Sequence, residues 1–565
     1  MFLPTRLLTA LILGLALPGG PAGADQDLSG AFLAARQAAA DSNYAEAARW
    51  YQVAAAADPE NRAMLHDTVF SLLAAGRADK AAALVPGLDP TDPVGAMVRL
   101  GDAARQEKFQ QILDDLAAGT TVGPLIDGLA RAWALLGLGQ MSEASAAFDK
   151  LAENAALKPF ALYHKALALA SVGDFEGALA TLNDPVAQPL RTTRRVRLAE
   201  VQMLSQLERN PEALKLLAEG FGPDPEPGIA AIAARLEAGE MLPFTTIDSA
   251  RDGVAEAFFS VAQVMNGQAG DTETLVYARM ASFLRPTLTE ATLMSASLLD
   301  RQGQFDLAAE AYQSIGADDP AHYIAELGRA DALASAGRSG EAIGMLDQLA
   351  QGAPDLPDAW LRLGDLLRRD SRQADAIAAY DRGLAALGAP EPAHWGIYYA
   401  RGISHERLKD WPAAEADFRK ALELNPDQPD VLNYMGYSLL ERKEKLDEAL
   451  SMIERAVKAE PENGAIVDSL GWALFRMARY DDAVGHMERA AELMPIDPVV
   501  NDHLGDVYWA VGRKREAEFQ WKRALSFKPD TEEEATRIRR KLEVGLDAVL
   551  AEEGAPPLRS DGNGG

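Results

Sequence analysis

The sequence of 565 residues contains no cysteine. That absence excludes disulfides, thiolate metal sites, thiol catalysis and the lipid-bearing cysteine of a bacterial lipoprotein, so stability has to come from packing. Positive charge is scarce: 55 Lys and Arg stand against 84 Asp and Glu, a formal net charge of −29. Such a balance repels nucleic acid and anionic membrane and suits an acidic, solvated surface. Aromatic residues make up 7% of the chain, which leaves the core to aliphatic and small side chains. Catalytic signatures are missing too. The seven histidines (His66, His164, His322, His394, His405, His486 and His503) include no i, i+4 pair and no HExxH. There is no GxSxG and no phosphate-binding loop, and Gly137-Leu138-Gly139 lacks the third glycine and preceding strand of a dinucleotide fingerprint. We expect no cofactor, no metal and no enzymatic activity.

Long hydrophobic runs are also absent. The apolar stretch from Leu7 to Leu17 is too short for a bilayer, which takes about 20 residues. Arg6 precedes it, Pro18-Gly19-Gly20-Pro21 follows, and Ala22-Gly23-Ala24 offers the small residues that a signal peptidase needs. This reads as a cleaved secretory signal over residues 1–24, with a mature start at Asp25. The short leader suggests a bacterial chain and a protein of the periplasm, with association to the cell envelope as a further expectation. No later stretch qualifies as a transmembrane helix.

What the sequence does have is a repeat. Gly402, Gly436, Gly471 and Gly505 are each followed by an alanine (Ala414, Ala449, Ala483, Ala517) and then by a bulky apolar residue (Phe418, Ile453, Met487, Trp521). A second alanine comes next (Ala421, Ala456, Ala490, Ala524), and each unit closes on a proline. These prolines (Pro426, Pro461, Pro495 and Pro529) are 35, 34 and 34 residues apart. Two helices and a turn recurring at about 34 residues mark a stacked helical-hairpin solenoid. In the unit from Ala465 to Pro495, Val467, Leu470, Gly471 and Leu474 recur at i, i+3, i+4 and i+7, giving one apolar face. Gly471 and Ala483 are small enough for the two helices to approach closely. The pattern resembles the tetratricopeptide repeat (TPR) family, and in particular secreted, all-repeat proteins of alphaproteobacteria. The resemblance implies an all-α fold: an α-solenoid, a right-handed superhelix of about 14–15 hairpins with a C-terminal capping helix.

Taken in order, residues 25–227 form a degenerate N-terminal solenoid. Its second helices open on acidic residues such as Glu143, Glu176 and Glu212, which complement the helix dipole. Residues 228–254 break the period, either as a joint between two solenoid segments or as one irregular repeat in a continuous superhelix. Residues 255–531 are regular. Thr531 and Glu534 make a capping box that opens a capping helix over 532–552, with Ile538, Leu542, Leu546 and Val549 on one face. Residues 553–565 are expected to be a disordered tail.

A second stripe lies off the core face. Asp468, Trp472 and Phe475 stand at i, i+4 and i+7, about 100° from the Val467/Leu470/Leu474 line. In the TPR family the corresponding face of each first helix lines the groove where partners bind. The resemblance thus implies a groove of Tyr399, Ile403 and Glu406, then Asn433 and Tyr437, then Asp468, Trp472 and Phe475, then Asp502, Asp506 and Trp509. Trp472 and Trp509 could instead fill gaps between repeats, whereas the three aspartates have little reason to be buried. Because the charges are mostly Asp, the Lys/Asn/Arg clamp by which some TPR proteins hold a terminal carboxylate is not expected.

These features lead to a non-catalytic protein–protein interaction scaffold of the periplasm or cell envelope, holding extended or helical peptide segments of basic and apolar character. Two alternatives stand beside it. One is the regulatory subunit of an envelope enzyme. The other is an accessory factor of envelope assembly or polysaccharide export, which the basic cluster Arg191, Arg194, Arg195 and Arg197 would favour as a docking site for an anionic polymer.

Overall fold

The computed structural model describes residues 23–222 and 225–558. Most of the expected leader, and residues 559–565 of the expected tail, lie outside them. Among the described residues every regular element is a helix, and nearly all pair into antiparallel hairpins. No described helix is long and apolar enough to cross a membrane. Two compact units divide between Ala353 and Pro354, so the irregular 228–254 segment lies within the first.

The hairpin turn has one recurring cause. The first helix ends in a Schellman cap, with a single left-handed residue between two backbone hydrogen bonds. At Gly139 (φ 77°), Gln140 N–H donates to Leu135 O and Gly139 N–H to Leu136 O. The same conformation falls on side-chain-bearing residues at Lys409 (φ 63°) and Ala478 (φ 59°).

Within each hairpin the glycine meets the bulky residue of the second helix. A Cβ on Gly402 would lie 2.7 Å from Phe418, on Gly436 2.8 Å from Ile453, on Gly471 2.3 Å from Met487 and on Gly505 2.4 Å from Trp521. No side chain fits there, so the helices close to a distance that only glycine permits. The resulting core of the second unit runs without a break from Trp411 to Leu546.

The first unit holds nine hairpins among its described residues, and one of them, Ala250–Met265 with Asp271–Leu284, has a special place. It packs against the first helices of the second to fifth hairpins, Arg62–Ala74, Pro93–Arg105, Pro124–Gly137 and Lys158–Ser171. Gly253 lies against the indole of Trp133, where a Cβ would come within 2.0 Å. Several polar groups trapped around this hairpin satisfy one another. Trp133 Nε1 donates to His164 Nδ1 (3.0 Å), His164 Nε2 meets Ser260 Oγ (3.1 Å), Tyr163 Oη donates to Glu256 (2.7 Å), and Arg195 bridges Glu256 and the Thr246 carbonyl. The irregular stretch ahead of this hairpin is tied down as well. Gln202 Oε1 accepts from Thr245 N–H and from the Thr246 hydroxyl, and Arg285 donates to both threonine carbonyls.

The second unit holds five hairpins among its described residues and then two helices, Glu532–Val544 and Leu546–Glu552. The capping box at Thr531 and Glu534 is present. Gly545 (φ 83°) breaks the expected single capping helix in two. Beyond the second piece, Leu558 still packs on the core.

Candidate partner-binding groove

The stripe assigned to partners runs along four first helices of the second unit: Trp395–Arg407, Pro429–Glu441, Gly464–Arg476 and Pro498–Ala510. A cavity of about 630 Å³ opens across the first three and reaches the fourth at Val499 and His503. Of the eleven expected residues, Glu406, Asn433, Tyr437 and Asp468 line it. Tyr399 and Ile403 are half-buried beside it and pack on the core. Tyr399 lies edge-on to Tyr434, with ring centroids 5.9 Å apart.

Trp472 fills a gap between repeats. Its indole lies between Phe475 (4.8 Å) and His503 (3.9 Å), nearly parallel to both, and its Nε1 donates to Glu441. Phe475 is buried. Asp468 is buried too, contrary to the expectation of an open acidic wall, because it accepts from His503 Nδ1 at 3.0 Å. Burial alone would push the His503 imidazole down. Asp468, with Asp502 and Asp506 beyond it, outweighs that and holds it above its ordinary value.

The last three expected residues are not brought to the cavity. Asp502 and Asp506 share the ammonium of Lys541, at 2.8 and 2.7 Å, and Lys541 is fully buried. Trp521 Nε1 also donates to Asp506. Trp509 lies tilted against Trp521, donates to Asp547 and lies under Gly545, so the chain's terminal helices cover it. The carboxylates on which a basic partner was expected are thus already paired with the chain's own cations.

Two cavity groups have no partner at all. Asn433 Oδ1, an acceptor, and Trp411 Nε1, a donor, are both buried without a hydrogen bond. Leaving such a group unmet costs about 1–3 kcal/mol. Trp411, Tyr434, Glu441, Arg442, Lys409 and His503 also line the cavity and were not foreseen. Tyr434 follows Asn433 directly. Trp411, Lys409 and Arg442 stand at hairpin ends, off the first-helix stripe, so the period gave no sign of them.

In the first unit the hairpin 250–284 covers the comparable faces of four first helices. The basic cluster there is mostly spent internally, three of its four arginines being paired: Arg191 on Glu200, Arg194 on Glu226, Arg195 on Glu256. It therefore gives no support to an anionic polymer as ligand. Among the described residues no group of His, Asp and Glu could hold a metal ion.

Comparisons with known proteins agree with this architecture. The tetratricopeptide repeat family matches residues 396–428 in one form and residues 129–187, 293–357, 341–392 and 434–498 in another. The chain is 30% identical over 183 residues to a TPR repeat-containing protein of Pseudomonas aeruginosa, covering 32% of this chain and 30% of that protein. It is 32% identical over 102 residues to the cytochrome c-type biogenesis protein CycH of Rhizobium meliloti, covering 18% of this chain and 26% of that protein. The chain thus spans less than a third of either relative. Among solved structures, a tetratricopeptide repeat protein from Parabacteroides merdae superposes with a TM-score of 0.37 at 18% identity, covering 46% of this chain and 98% of that one.

Proposed function

Because the chain belongs to the tetratricopeptide repeat family, we propose that it is a non-catalytic protein–protein interaction scaffold that takes partner peptide segments in the cavity of its C-terminal unit. The observation that carries this reading is the pair of orphaned groups there, Asn433 Oδ1 and Trp411 Nε1. Buried polar groups in folded proteins are nearly always hydrogen-bonded. An acceptor and a donor left unmet in side chains that line one open cavity fit a bound main chain, which offers N–H and C=O together. Tyr437 and Tyr434 supply the aromatic surface on which binding energy commonly concentrates. We place the protein in the periplasm or at the cell envelope on the strength of its leader. A mature N-terminus at Asp25, read by mass spectrometry, tests that part.

The groove is tested in cells with a photo-crosslinking amino acid at position 437 and, as control, at position 423, where Glu423 is exposed on a second helix. Crosslinks to a discrete protein from 437, absent from 423 and lost when Asn433→Arg fills the cavity, are expected. Equal labelling from both positions would sink the assignment.

A further inference from the structure

Within the first unit, the first two hairpins meet helices 228 to 263 residues further along the chain. Tyr44 Oη lies 2.9 Å from Thr272 Oγ1 and donates to Gln302 Oε1 at 2.7 Å. Gln304 Nε2 donates to the Asp41 carbonyl at 3.3 Å, and Arg77 reaches Glu310 at 3.4 Å. A cavity of about 310 Å³ opens on this seam, between Tyr44–Ala57, the hairpin of Arg62–Ala74 with Ala78–Leu84, and Phe305–Gln313. Ala48, Leu72 and Leu307 are among its apolar lining, and Arg49, Arg77 and Lys80 bring three cations to it. None of its lining residues is acidic, on a chain of net charge −29. Arg49 and Arg77 meet Glu46 and Glu310 in ion pairs whose members are all about half exposed, and such pairs contribute little. Lys80 is exposed and makes no ion pair among the described residues. A fourth cation stands beside them. Arg279, on the covering hairpin, lays its guanidinium against Gly76, where a Cβ would come within 3.2 Å of its Cζ. Its Nε is buried without an acceptor. Burial lowers Arg279 to about 10; Glu310 pulls it up and Arg77 pushes it further down. The carbonyl end of Arg62–Ala74 favours a cation at this place, but it does not supply the charge that four neighbouring cations lack.

We propose that this cavity binds a small soluble phosphomonoester, its phosphate seated between Arg49, Arg77 and Lys80, and that the bound anion closes the seam. Guanidinium and ammonium donors form charge-assisted bonds to phosphate oxygens, and these are the strong ones. A dianion offsets the surplus of positive charge, and the exposed pairs with Glu46 and Glu310 are weak enough to yield to it. The volume lies at the lower end for small-molecule sites, so it suits a phosphate on a body of a few carbon atoms, which face Ala48, Leu72 and Leu307. Arg49 belongs to the first hairpin, Arg77 and Lys80 to the second, and Leu307 to the helix across the seam, so one ligand touches both sides. Arg279 acts through its charge, without a contact. The site is independent of the C-terminal cavity, and neither reading falls with the other.

Isothermal titration of the full chain with glycerol 3-phosphate tests this, in chloride at constant ionic strength, with glycerol and inorganic phosphate alongside. Saturable binding with a Kd below about 1 mM is expected for glycerol 3-phosphate, none for glycerol, and competition from inorganic phosphate, which carries the same group. Lys80→Glu, at an exposed side chain with no ion pair to lose, should weaken binding at least about tenfold, and Arg49→Gln should weaken it as well. Lys215→Glu, an exposed lysine on Asn210–Phe221, should leave it unchanged. Hydrogen exchange should slow with the ligand in Tyr44–Ala57 and Phe305–Gln313, the two sides of the seam, and stay as it was in Gly464–Arg476. The inference is overturned by the absence of saturable binding up to about 10 mM. It is overturned equally if Lys80→Glu and Lys215→Glu weaken binding alike, or if phosphatidylglycerol vesicles capture the chain while soluble phosphate does nothing. Binding with unchanged exchange on both sides overturns the closure of the seam.

Discussion

Lys541 lies fully buried between Asp502 and Asp506, 5.8 Å from the centre of the Trp521 ring. An ion pair of this kind adds little net stability over an apolar isostere, but removing one member strands the other. Lys541→Met would leave two carboxylates sharing a buried site with only Arg537, 3.8 Å from Asp506, as a nearby ion-pair partner. The expected cost is about 3–5 kcal/mol in urea unfolding, with part of it recovered in Lys541→Met/Asp506→Asn. A loss under 1 kcal/mol would show that water enters the site and that the terminal helix does not seal it. This pair also shows where sequence reading stops. A period of 3.6 tells which residues share a face, and it put Asp468, Asp502 and Asp506 on one stripe. It does not tell what stands opposite. The partner of Asp468 is His503 on the next repeat, and the partner of the other two is on a helix read only as a cap. Three aspartates that looked like an open wall are largely closed by cations arriving 35 or more residues later.

Hairpins were the legible element, because their two determinants are local. Gly402 meets Phe418 and Gly471 meets Met487 within one unit, and each such pair is visible in a window of one repeat. The cavity was only half legible, since Trp411, Lys409 and Arg442 come from hairpin ends whose sequences vary from repeat to repeat. Those ends carry a measurable strain. Ala478 occupies the left-handed turn position (φ 59°) that Gly139 and Gly512 hold elsewhere. A Cβ there costs roughly 1–2 kcal/mol, against which glycine brings extra entropy to the unfolded chain. Ala478→Gly should therefore stabilise the protein by roughly 0.5–1 kcal/mol in urea unfolding. A destabilised variant would mean that the alanine methyl, which packs on the core, contributes more than the turn costs.

Across the whole chain, long-range packing decides which inner faces remain for partners, and it does so with buried titratable groups of opposite sign. In the first unit His164 is neutral: Trp133 Nε1 donates to its Nδ1, and its Nε2 N–H faces Ser260 Oγ. Burial pushes it down to about 4, against a smaller upward pull from Glu256. A folded value below the unfolded one means that the stability is complete above about pH 6.5 and is lost as pH falls toward 4, in total roughly 3 kcal/mol. The protonated ring would also turn an N–H toward the Trp133 N–H. In the second unit His503 is held above its ordinary value beside Asp468, so its contribution is complete below about pH 6.5 and is lost as pH rises through the raised value. Acidification from pH 7.5 to 5 should thus loosen the packing of Ala250–Met265 on Pro124–Gly137 and Lys158–Ser171 while sparing Gly464–Arg476 and Pro498–Ala510. Hydrogen exchange read by mass spectrometry, corrected for intrinsic rates, reports both in one experiment. Protection of the first set is expected to fall about tenfold or more, and His164→Gln should flatten that fall whatever it does to stability at pH 7.5. An equal loss in both sets would mean that global unfolding, not the His164 site, governs the response.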